Sequence, residues 1–395
     1  MIFQSLDDKH ECVGMYTDGK LYFDNIPDNL TKTWKHSASL NDKDVEYAWI
    51  YANGQSMSEV CPDELHEDWE QAQRRMRAYM KSFDIAKINF YEHCFFDLVP
   101  HDFLIKFCEI KNQVTKHVFD NYEKPQNYDY MKDAHRLLFK IKYQNLNLSN
   151  SNVRNLSLNS LSRTAVQKIL KGSHHIDYNL YGTVTGRLAT NPGSFPLLTM
   201  QKELRRLIKP HNDWFISLDY NGAEVRTFLA LSEQQQPSGD IHEWNIHNVF
   251  QDPALNREEA KTMFFAWLYN PDSEYLKTDH YDRKKVLDTY YKGGYISTVF
   301  GRRIKVSDWK AFNYLIQSTT ADLVIERAIV IDRMLEGKRS FISHIVHDEI
   351  VIDFAHEDRD LLQKIKDEFA QNKLGKFVVN LNAGKNYFDL EKLSL

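Results

Sequence analysis

An apolar segment that ends in a carboxylate constrains this chain more than any other feature of its sequence. The segment WFISLDY (214–220) has the composition of a buried strand, and Asp219 stands near its end. A carboxylate inside an apolar strand costs several kcal/mol unless it is paired or binds a metal ion. The sequence therefore predicts that this strand carries Asp219 to a partner supplied from elsewhere in the chain.

A second carboxylate lies in SHIVHDEIVIDF (343–354), where two β-branched runs flank His347, Asp348 and Glu349. This pattern predicts a β-hairpin with polar residues at its tip. If the hairpin lies beside the first strand, Asp219 and Asp348 come together, and their charges repel unless a cation separates them. Two divalent ions about 3.5–4 Å apart are the usual clamp for in-line phosphoryl transfer. The alternative is that each aspartate is an ordinary solvent-exposed turn residue. That alternative is favoured for either aspartate taken alone, but not for the two taken together.

The segment NREEAKTMFFAWLYN (256–270) lies between these two and predicts a helix. Asn256 and Glu259 have the spacing of an N-terminal capping box. Four side chains recur at intervals of four residues and share one stripe of the helix: Arg257, Lys261, Phe265 and Tyr269. The helix dipole disfavours cations in the first turns, so an anion such as phosphate is the expected partner. Two cations and two aromatic rings suit a nucleoside triphosphate; an ordinary amphipathic surface helix is the alternative.

Six collinear segments resemble a known enzyme family. DYNGAEVR, REEAKTMFFAWLY and VHDEIV are similar to motifs A, B and C of the family A DNA polymerases, the class of bacterial DNA polymerase I and its phage relatives. GTVTGRLAT (182–190) resembles the primer-template loop, GGYISTVFGRRIKV (293–306) the segment after the fingers, and NYLIQSTTADLV (313–324) the helix near the minor groove of the product duplex. The resemblance covers roughly residues 175–390 and points to a compact, phage-type member.

The resemblance implies an α/β (α+β) right-hand polymerase with an antiparallel palm sheet, helical fingers and a reduced helical thumb, plus an N-terminal α/β module. The expected division of the chain is an exonuclease-like or structural module (1–110), thumb-like helices and a connector (111–175), palm (176–230), fingers (231–305) and palm again (306–395). Within the first half, the patterns predict helices over 65–83 and 102–119, strands over 47–54 and 87–91, and a polar connector over 145–160.

The metal and catalytic roles are carried over from the family by position. Asp219 and Asp348 would bind two Mg²⁺ ions, for which Mn²⁺ is a possible substitute, assisted by the backbone carbonyl of Tyr220. Lys261 would contact the triphosphate and could protonate the leaving pyrophosphate. The resemblance therefore implies that Asp219, Asp348 and Lys261 are the catalytic residues.

The nucleotide and DNA contacts follow in the same way. Arg257 would hold the distal end of the triphosphate, and His242 would lie near the phosphates. Phe265 and Tyr269 would pack on the incoming nucleotide and the templating position, and Glu224 would press against C2′ of a deoxyribose. Six side chains would contact the primer-template duplex, positioning it more than reading its sequence: Thr185, Arg187, Arg226, Asn313, Gln317 and His347.

Motif A departs from the family pattern at Asn221-Gly222, where Ser-Gln is common. Motif B has Ala266 and Asn270 where glycines are usual, and Trp309 stands where an arginine is often found. These departures bear on fidelity and minor-groove contacts rather than on the chemistry.

The N-terminal half lacks a complete set of nuclease carboxylates. Many family A enzymes carry a 3′→5′ exonuclease with four acidic residues, and two metal ions require the complete set. Asp24, Asp97 and Asp133 are present, but Ile26 stands where the partner of Asp24 would be. We therefore expect no proofreading activity; a structural or partner-binding module is the alternative for this half.

Charge, cysteine spacing and apolar runs argue against a membrane protein and against a zinc site, but they do not exclude other classes of function. The formal net charge of -5 gives no overall basic signature, but a local basic groove can still bind DNA, since phosphate contacts act within about 8–10 Å. The spacing of the four cysteines predicts buried thiols in a reducing compartment: Cys12, Cys61, Cys94 and Cys108. No signal peptide or membrane span is evident, so we expect a cytoplasmic protein of a bacterial or phage-infected cell.

Two histidine pairs are poor metal ligands. His242 and His247 are five residues apart, so they do not share the helix face that an HExxH zinc site requires. His174 and His175 are adjacent and are expected to be surface or packing residues.

The sequence therefore predicts a DNA-directed DNA polymerase, a nucleotidyltransferase that adds dNTPs to a primer 3′-hydroxyl in replication or repair. Its expected partners are primer-template DNA, dNTPs and a possible processivity factor or replisome protein, with no membrane. The alternatives are an enzyme like the single-subunit RNA polymerases and a catalytically inactive DNA-binding accessory subunit. Glu224 argues against the first alternative, since those RNA polymerases lack it, and the intact Asp219 and Asp348 argue against the second.

Overall fold

The computed structural model describes residues 1–9, 11–41, 43–149, 160–270 and 278–394. The chain forms two compact units, Met1–Phe139 and Lys140–Leu395. Most of the connector predicted over 145–160 lies outside the described residues. No helix among those described has the length and apolar content to cross a membrane.

In its described residues, the first unit contains two small sheets, three α-helices and most of a fourth, whose last three residues belong to the second unit. Its strands are β1 (Gln4–Ser5), β2 (Met15–Thr17), β3 (Lys20–Tyr22), β4 (Lys32–Thr33) and β5 (Glu46–Tyr47). Strands β1, β2 and β3 form an antiparallel sheet, and β4 pairs with β5 in parallel. The helices are α1 (Ala48–Tyr51), α2 (His66–Ile85), α3 (His101–Asn121) and α4 (Tyr128–Lys142). Helices α2 and α3 confirm the two helices predicted from periodicity.

Both strands predicted in this unit are wrong. In the first, only Glu46–Tyr47 is extended, and the buried apolar residues that follow form α1. Periodicity does not separate a short buried helix from a short buried strand. In the second, Lys87 has a φ of 55° and the side chain of Asn89 accepts a hydrogen bond from the Tyr91 backbone at 3.0 Å, so the chain turns.

A disulfide bond joins Cys12 to Cys94 across 82 residues, which corrects the expectation of four buried thiols. Cys61 and Cys108 are free, and Cys108 is buried. Sequence spacing gives no sign of this bond because its two ends meet only through packing. The apolar residues around it come from the sheet region and from α3 and include Phe96 and Phe103.

The second unit holds the remaining elements. Its strands are β6 (Asn147–Leu148), β7 (Tyr178–Asn179), β8 (Ala189–Thr190), β9 (Ile208–Lys209), β10 (Trp214–Tyr220), β11 (Tyr291–Lys292), β12 (Tyr295–Ser297), β13 (Arg303–Lys305), β14 (Phe341–Val346), β15 (Glu349–Phe354), β16 (Gln371–Asn372), β17 (Gly375–Lys376), β18 (Val379–Gly384) and β19 (Leu390–Lys392). Its helices are α5 (Ser160–Lys171), α6 (Ala223–Leu231), α7 (Ile241–Asn245), α8 (Arg257–Tyr269), α9 (Arg283–Tyr290), α10 (Asp308–Met334) and α11 (Leu362–Ala370).

A five-stranded antiparallel sheet is the centre of this unit. Its strand order is β14-β15-β10-β18-β19, so β10 lies in the middle. The structure confirms the strand predicted over 214–220 and the hairpin predicted over 343–354, and it places them side by side as β10 and β15. The register puts Asp219 opposite Glu349 on one side and opposite Asn380 on the other.

The helices pack around one apolar core that fixes α8 relative to the sheet. Phe228 of α6, Phe264 and Trp267 of α8, and Phe312 of α10 belong to this core and are almost fully buried. The predicted stripe runs along the edge of this buried face. Its first members, Arg257 and Lys261, are partly exposed and exposed, whereas Phe265 and Tyr269 are partly buried and pack against the core. Burial of one face therefore decides which way the cations of α8 point.

The compact units do not coincide with the expected domain limits. Helix α3 packs on α2 and on strands β1–β3, so the predicted thumb segment (111–175) is divided between the two units. The division of the chain into palm, fingers and thumb stays a prediction.

Candidate active site

An open cavity of about 510 Å³ in the second unit collects most of the residues named from the sequence. Eleven of them line it: Arg187, Asp219, Tyr220, Glu224, His242, Arg257, Lys261, Phe265, Gln317, His347 and Asp348. Tyr269, Thr185, Arg226 and Asn313 do not. The cavity therefore joins residues that lie as far apart in the chain as Arg187 and Asp348.

The two aspartates meet because their strands are neighbours. Asp219 stands at the end of β10, and Asp348 lies in the turn that leads into β15, directly before the residue paired with Asp219. Burial, together with the charge of Asp348, raises the pKa of Asp219 to about 7. Burial also raises the pKa of Asp348. Both carboxylates are therefore costly to ionise until a cation joins them.

The neighbouring polar residues have different tasks. Glu349 is held by hydrogen bonds from the Ser217 hydroxyl at 2.5 Å and from the Tyr387 hydroxyl at 2.7 Å. It does not line the cavity and serves to fix the hairpin against the sheet. Asn380 of β18 does line the cavity, and its Nδ2 donates to Oδ2 of Asp219 at 3.2 Å. Sequence reasoning missed Asn380 because only the strand pairing brings it to this place.

The hairpin turn itself is strained. His347 has a φ of 56°, in the left-handed region that residues other than glycine rarely adopt. Its side chain is exposed and lines the cavity beside Asp348. Such strain costs on the order of 1–3 kcal/mol and is often found at functional sites. The two-residue turn thus holds Asp348 at the cavity at the expense of local stability.

The donor set fits magnesium better than zinc. Among the described residues, no group of three or more His, Cys, Asp or Glu side chains could hold a metal ion. Mg²⁺ is commonly held by one or two carboxylates together with substrate phosphates and water, rather than by an all-protein cage. Asp219 and Asp348, with their raised pKa values and oxygen ligands, meet that requirement.

The start of α8 is capped as predicted. The Asn256 side chain accepts from the backbone of Glu259 at 3.0 Å, and the Glu259 side chain accepts from the backbone of Asn256 at 3.0 Å. This capping box satisfies two free N–H groups of the first turn. The helix start therefore does not need Arg257 or Lys261 for its own stability.

Arg257 is held in place by Asp240. Its Nε and Nη2 donate to Oδ2 of Asp240 at 3.0 Å and 2.9 Å, and its Nη1 donates to Glu258 at 2.6 Å. Although burial alone would raise it, hydrogen bonds from Arg257 and Asn221 lower the pKa of Asp240 to about 2. The carboxylate is thus ionised at neutral pH and occupies one edge of the guanidinium.

Asp240 also ties α7 to the turn after β10. Its Oδ1 accepts from the backbone of His242 at 2.9 Å and Glu243 at 3.1 Å, which caps α7, and its Oδ2 accepts from Asn221 at 2.6 Å. Sequence reasoning missed Asp240, although an aspartate three residues before Glu243 is itself a helix-start signal. Asp240 thus links the turn after β10 to Arg257 of α8.

Lys261 differs from Arg257. It is exposed and lines the cavity, and no hydrogen bond or ion pair holds it among the described residues. Its charge lowers the pKa of both Asp219 and Asp348, against the larger effect of burial. Lys261 is therefore a cation close to the carboxylates that remains available to a ligand.

The aromatic end of the stripe meets the glutamate of motif A. The rings of Phe265 and Tyr269 are stacked, with centroids 5.9 Å apart and an interplanar angle of 13°. The Tyr269 hydroxyl donates to one oxygen of Glu224, and Arg187 pairs with the other. Burial raises the pKa of Glu224, against the opposing charge of Arg187. Arg187 and Glu224 thus line one side of the cavity, and Tyr269 supports Glu224 from behind it.

His242 is buried beside the cavity and carries an unpaired nitrogen. Only 2% of the residue is exposed, and its Nδ1 has no hydrogen-bond partner among the described residues. Burial lowers the pKa of His242 to about 4, so its ring is neutral at neutral pH. The ring lies 6.1 Å from that of Phe265, between centroids. His247 is exposed and apart from the cavity, so the two histidines form no pair.

The structure corrects the assignment of Arg226 to the duplex. Arg226 is fully buried, and its guanidinium donates to the backbone carbonyls of Asn221 at 2.7 Å, Pro237 at 2.8 Å and Gly239 at 2.6 Å. Burial lowers the pKa of Arg226 to about 10. A guanidinium that donates hydrogen bonds to three backbone carbonyls of its own chain is not available to bind phosphate. Arg226 instead fixes the loop that carries Asp240.

The other residues assigned to the duplex differ in how far their side chains are exposed to a ligand. Thr185 is only 8% exposed, so little of it can reach a ligand. Asn313 donates to the backbone carbonyl of Tyr269 at 3.4 Å, whereas Gln317 lines the cavity. The loop around Thr185 is fixed by Arg302, whose guanidinium pairs with buried Asp322 at 2.7 Å and packs where a Cβ on Gly186 would stand. Sequence reasoning missed this support.

The structure also accounts for the departure at Asn221-Gly222. Gly222 has a φ of 68°, and a Cβ there would collide with Ile241. The Asn221 side chain accepts from the Ile241 backbone at 2.8 Å while it donates to Asp240. The glycine allows α7 to approach, and the asparagine bonds to it. The pair therefore serves the same junction that orients Arg257.

Comparisons with known proteins agree with this geometry. The chain is 24% identical over 280 residues to the DNA polymerase I of Chloroflexus aurantiacus, which covers 57% of this chain and 30% of that protein. It is 26% identical over 248 residues to the thermostable DNA polymerase I of Thermus aquaticus, covering 50% and 30%. It is 28% identical over 235 residues to that of Thermus thermophilus, covering 46% and 28%. Each alignment thus spans less than a third of the relative's length.

A solved structure has the same fold. It is the POL domain of Pol1 from M. smegmatis, in complex with DNA primer-template and dNTP. The TM-score is 0.57 at 15% sequence identity, and the match covers 73% of this chain and 76% of that chain. No family model matches the sequence. The expected fold, a right-hand polymerase with an antiparallel central sheet, is confirmed.

Proposed function

We propose, from the premise that this chain is related to the family A DNA polymerases, that it is a DNA-templated DNA polymerase. It would add deoxynucleotides to a primer 3′-hydroxyl by nucleotidyl transfer, in replication or repair. One observation carries the proposal. Two raised-pKa carboxylates from neighbouring strands, Asp219 and Asp348, share a cavity with the exposed Lys261 and the anchored Arg257 of a helix start.

Asp219 and Asp348 would hold divalent cations, with Mg²⁺ as the expected ion and the Tyr220 carbonyl as a further oxygen. When bound, such ions neutralise phosphate charge and help to ionise the attacking hydroxyl. The protein's part is to present both carboxylates from adjacent strands, with Asn380 fixing the orientation of Asp219. Catalysis then consists mainly of positioning and charge stabilisation.

The cationic side of the cavity would bind the triphosphate. Lys261 is exposed and lies near the carboxylates, so it is suited to contact the phosphates and to donate a proton to the leaving pyrophosphate. Arg257 would bind the distal phosphates with the guanidinium edge that faces away from Asp240, where a phosphate would replace the exposed Glu258 as the partner of Nη1. His242, neutral and with an unpaired Nδ1, could donate or accept one hydrogen bond there.

The aromatic and acidic residues would select the nucleotide. Phe265 presents its ring to the cavity and would stack on the incoming base, with Tyr269 behind it. Glu224, held between Arg187 and Tyr269, would stand against C2′ of the sugar and exclude a ribose hydroxyl. Gln317 and His347 line the same cavity and would contact the duplex. A compact phage-type enzyme and a processivity factor remain part of the proposal.

Primer extension tests the proposal directly. The purified chain would be incubated with a 5′-labelled primer-template and Mg²⁺, with dNTPs, with rNTPs, or without nucleotide. We expect extension with dNTPs only, and loss of extension on chelation. Extension with rNTPs at equal rate would overturn the assignment to DNA synthesis, and no extension under any condition would overturn the enzyme. Shortening of the primer without nucleotide would contradict the expected lack of proofreading.

The sugar assignment has its own variant. Glu224→Ala removes the side chain that would exclude the 2′-hydroxyl, so incorporation of rNTPs relative to dNTPs should rise by at least about tenfold. Glu336→Ala, at an exposed residue in the turn that follows α10, is the control and should leave the ratio unchanged. An unchanged ratio in Glu224→Ala would contradict the role of this residue while leaving the polymerase assignment intact.

A further inference from the structure

The three-stranded sheet β11-β12-β13 has two different faces. Tyr291, Ile296 and Ile304 lie across from one another in the register and share the inner face. Ile296 is fully buried, Ile304 is nearly so, and both belong to the core that also holds α8. Side chains alternate along a strand, so the residues between them must lie on the outer face.

The outer face is basic. The register places Lys292, Tyr295 and Lys305 in one row across the three strands, and places Ser297 opposite Arg303 in the next row. Lys292, Arg303 and Lys305 are exposed, and Tyr295 is half-buried. The Arg303 guanidinium lies over the Tyr295 ring, 4.3 Å from its centroid. We call Lys292, Tyr295, Arg303 and Lys305 the basic face.

No carboxylate of this sheet balances the basic face. Residues 291–306 contain no aspartate or glutamate, and none of the three cations forms an ion pair among the described residues. The two outer strands each lie about 4.8 Å from β12, so Lys292 and Lys305 stand roughly 10 Å apart. In a chain of net charge -5, three cations without a carboxylate partner repel one another on so small a surface, and the Arg303–Tyr295 contact offsets only part of that cost.

We propose that the basic face binds single-stranded nucleic acid, namely the unpaired part of the template strand. The inference rests on the proposed function in one respect: only a polymerase would make the bound single strand a template. Its cations suit consecutive phosphates, and the stacked pair of Tyr295 and Arg303 offers a flat surface to a base. An aromatic ring among cations is the arrangement used for single strands, whereas a duplex backbone needs cations alone.

The test is a binding titration that needs no catalysis. The chain would be titrated, at several salt concentrations, with labelled primer-templates carrying a long 5′ template overhang or a blunt end. The triple variant Lys292→Gln, Arg303→Gln and Lys305→Gln removes three exposed charges and leaves the inner face intact. We expect the slope of log affinity against log salt to fall by about 2 on the overhang substrate, since each single-strand phosphate contact contributes about 0.7. The blunt substrate should show no such change.

A matched control removes three exposed cations from a helix outside this sheet. Arg74→Gln, Arg77→Gln and Lys81→Gln on α2 change the net charge equally. An equal loss in this control would assign the effect to net charge and overturn the proposal, as would equal losses on overhang and blunt substrates. Tyr295→Leu should weaken binding of the overhang substrate by about tenfold without changing the salt slope; unchanged binding would overturn the stacking assignment.

Failure of the two proposals can be told apart. If wild type binds a labelled single strand through the basic face but extends no primer, the proposed polymerase fails and the surface stands. If wild type extends primers and the triple variant binds every substrate as wild type does, the surface assignment fails alone.

Discussion

The two sides of the cavity differ in charge and in burial: one carries buried carboxylates and the other carries exposed or partly exposed cations. On the sheet side, Asp219 and Asp348 are carried by paired strands, and burial raises the pKa of both. On the helix side, Lys261 is exposed and Arg257 is partly exposed and paired with Asp240. The sheet side thus presents two buried carboxylates that would suit a cation, whereas the helix side presents two cations that would suit an anion. Strand pairing therefore positions the proposed metal ligands, whereas a side-chain contact, that of Asp240 with Arg257, positions one of the proposed phosphate ligands.

The helix side is itself divided. Arg257 is anchored through Asp240 to the turn that follows β10, whereas Lys261 has no such anchor among the described residues. An anchored cation loses less side-chain entropy when it binds a ligand than a free one does. Arg257 should therefore contribute mainly to affinity, and Lys261 mainly to the chemical step.

The largest effect should come from the sheet side. Asp348→Asn removes one of two carboxylates from the metal position, and the single-turnover rate of incorporation should fall by on the order of 10³-fold or more. Binding of primer-template should stay near wild type, because Asp348 is a carboxylate and supplies no positive charge for the DNA phosphates. Asp360→Asn, a 94% exposed aspartate in the segment after β15, is the control. Retained turnover in Asp348→Asn would reject the metal assignment.

A smaller effect is expected from the free cation. Lys261→Ala should slow the single-turnover step by about 10²-fold, since a positioned proton donor is worth that much, and should weaken nucleotide binding as well. Lys284→Ala replaces an exposed lysine of the neighbouring helix α9 and should leave both quantities unchanged. Normal single-turnover kinetics in Lys261→Ala would remove this residue from the mechanism.

The anchored cation should show a different pattern. Asp240→Asn retains a capping side chain for α7 but weakens the grip on Arg257, so the Kd for dNTP should rise about tenfold with little change in the rate at saturation. Glu258→Gln removes the other partner of Arg257, an exposed one, and should have almost no effect. If Asp240→Asn further weakened binding in an Arg257→Ala background, the anchor would not act through Arg257.

The smallest effect concerns stability and pH. The pKa of Asp219 is raised from 3.8 to about 7, so the folded state binds more protons than the unfolded state between these values. The free energy of unfolding should therefore fall as pH rises through this window. Above pH 7, Mg²⁺ should recover part of the loss and raise Tm by a few degrees, but not near pH 4, where Asp219 is protonated. Thermal unfolding of wild type and Asp219→Asn, with and without Mg²⁺, measures this; an equal response in both proteins would contradict it.

Much of the site was accessible from the sequence because its signals are local. The strand at 214–220, the hairpin at 343–354 and the capped helix at 256–270 each carry their pattern within a few residues. Neighbouring strands then bring Asp219 and Asp348 together with little freedom. The first half of the chain was less accessible, because short buried apolar runs such as 47–54 fit a strand and a helix equally well.

The sequence by itself determined the central strand, the hairpin, the capped helix and the order of the motifs. Only the tertiary structure decided that Arg226 donates to backbone carbonyls, that Asp240 accepts from Arg257, and that Cys12 forms a disulfide bond with Cys94. The reason is that propensity, capping and alternation act between near neighbours in the chain. The partner of a long polar side chain or of a cysteine, by contrast, is set by which distant segments the packed core brings within a few ångströms.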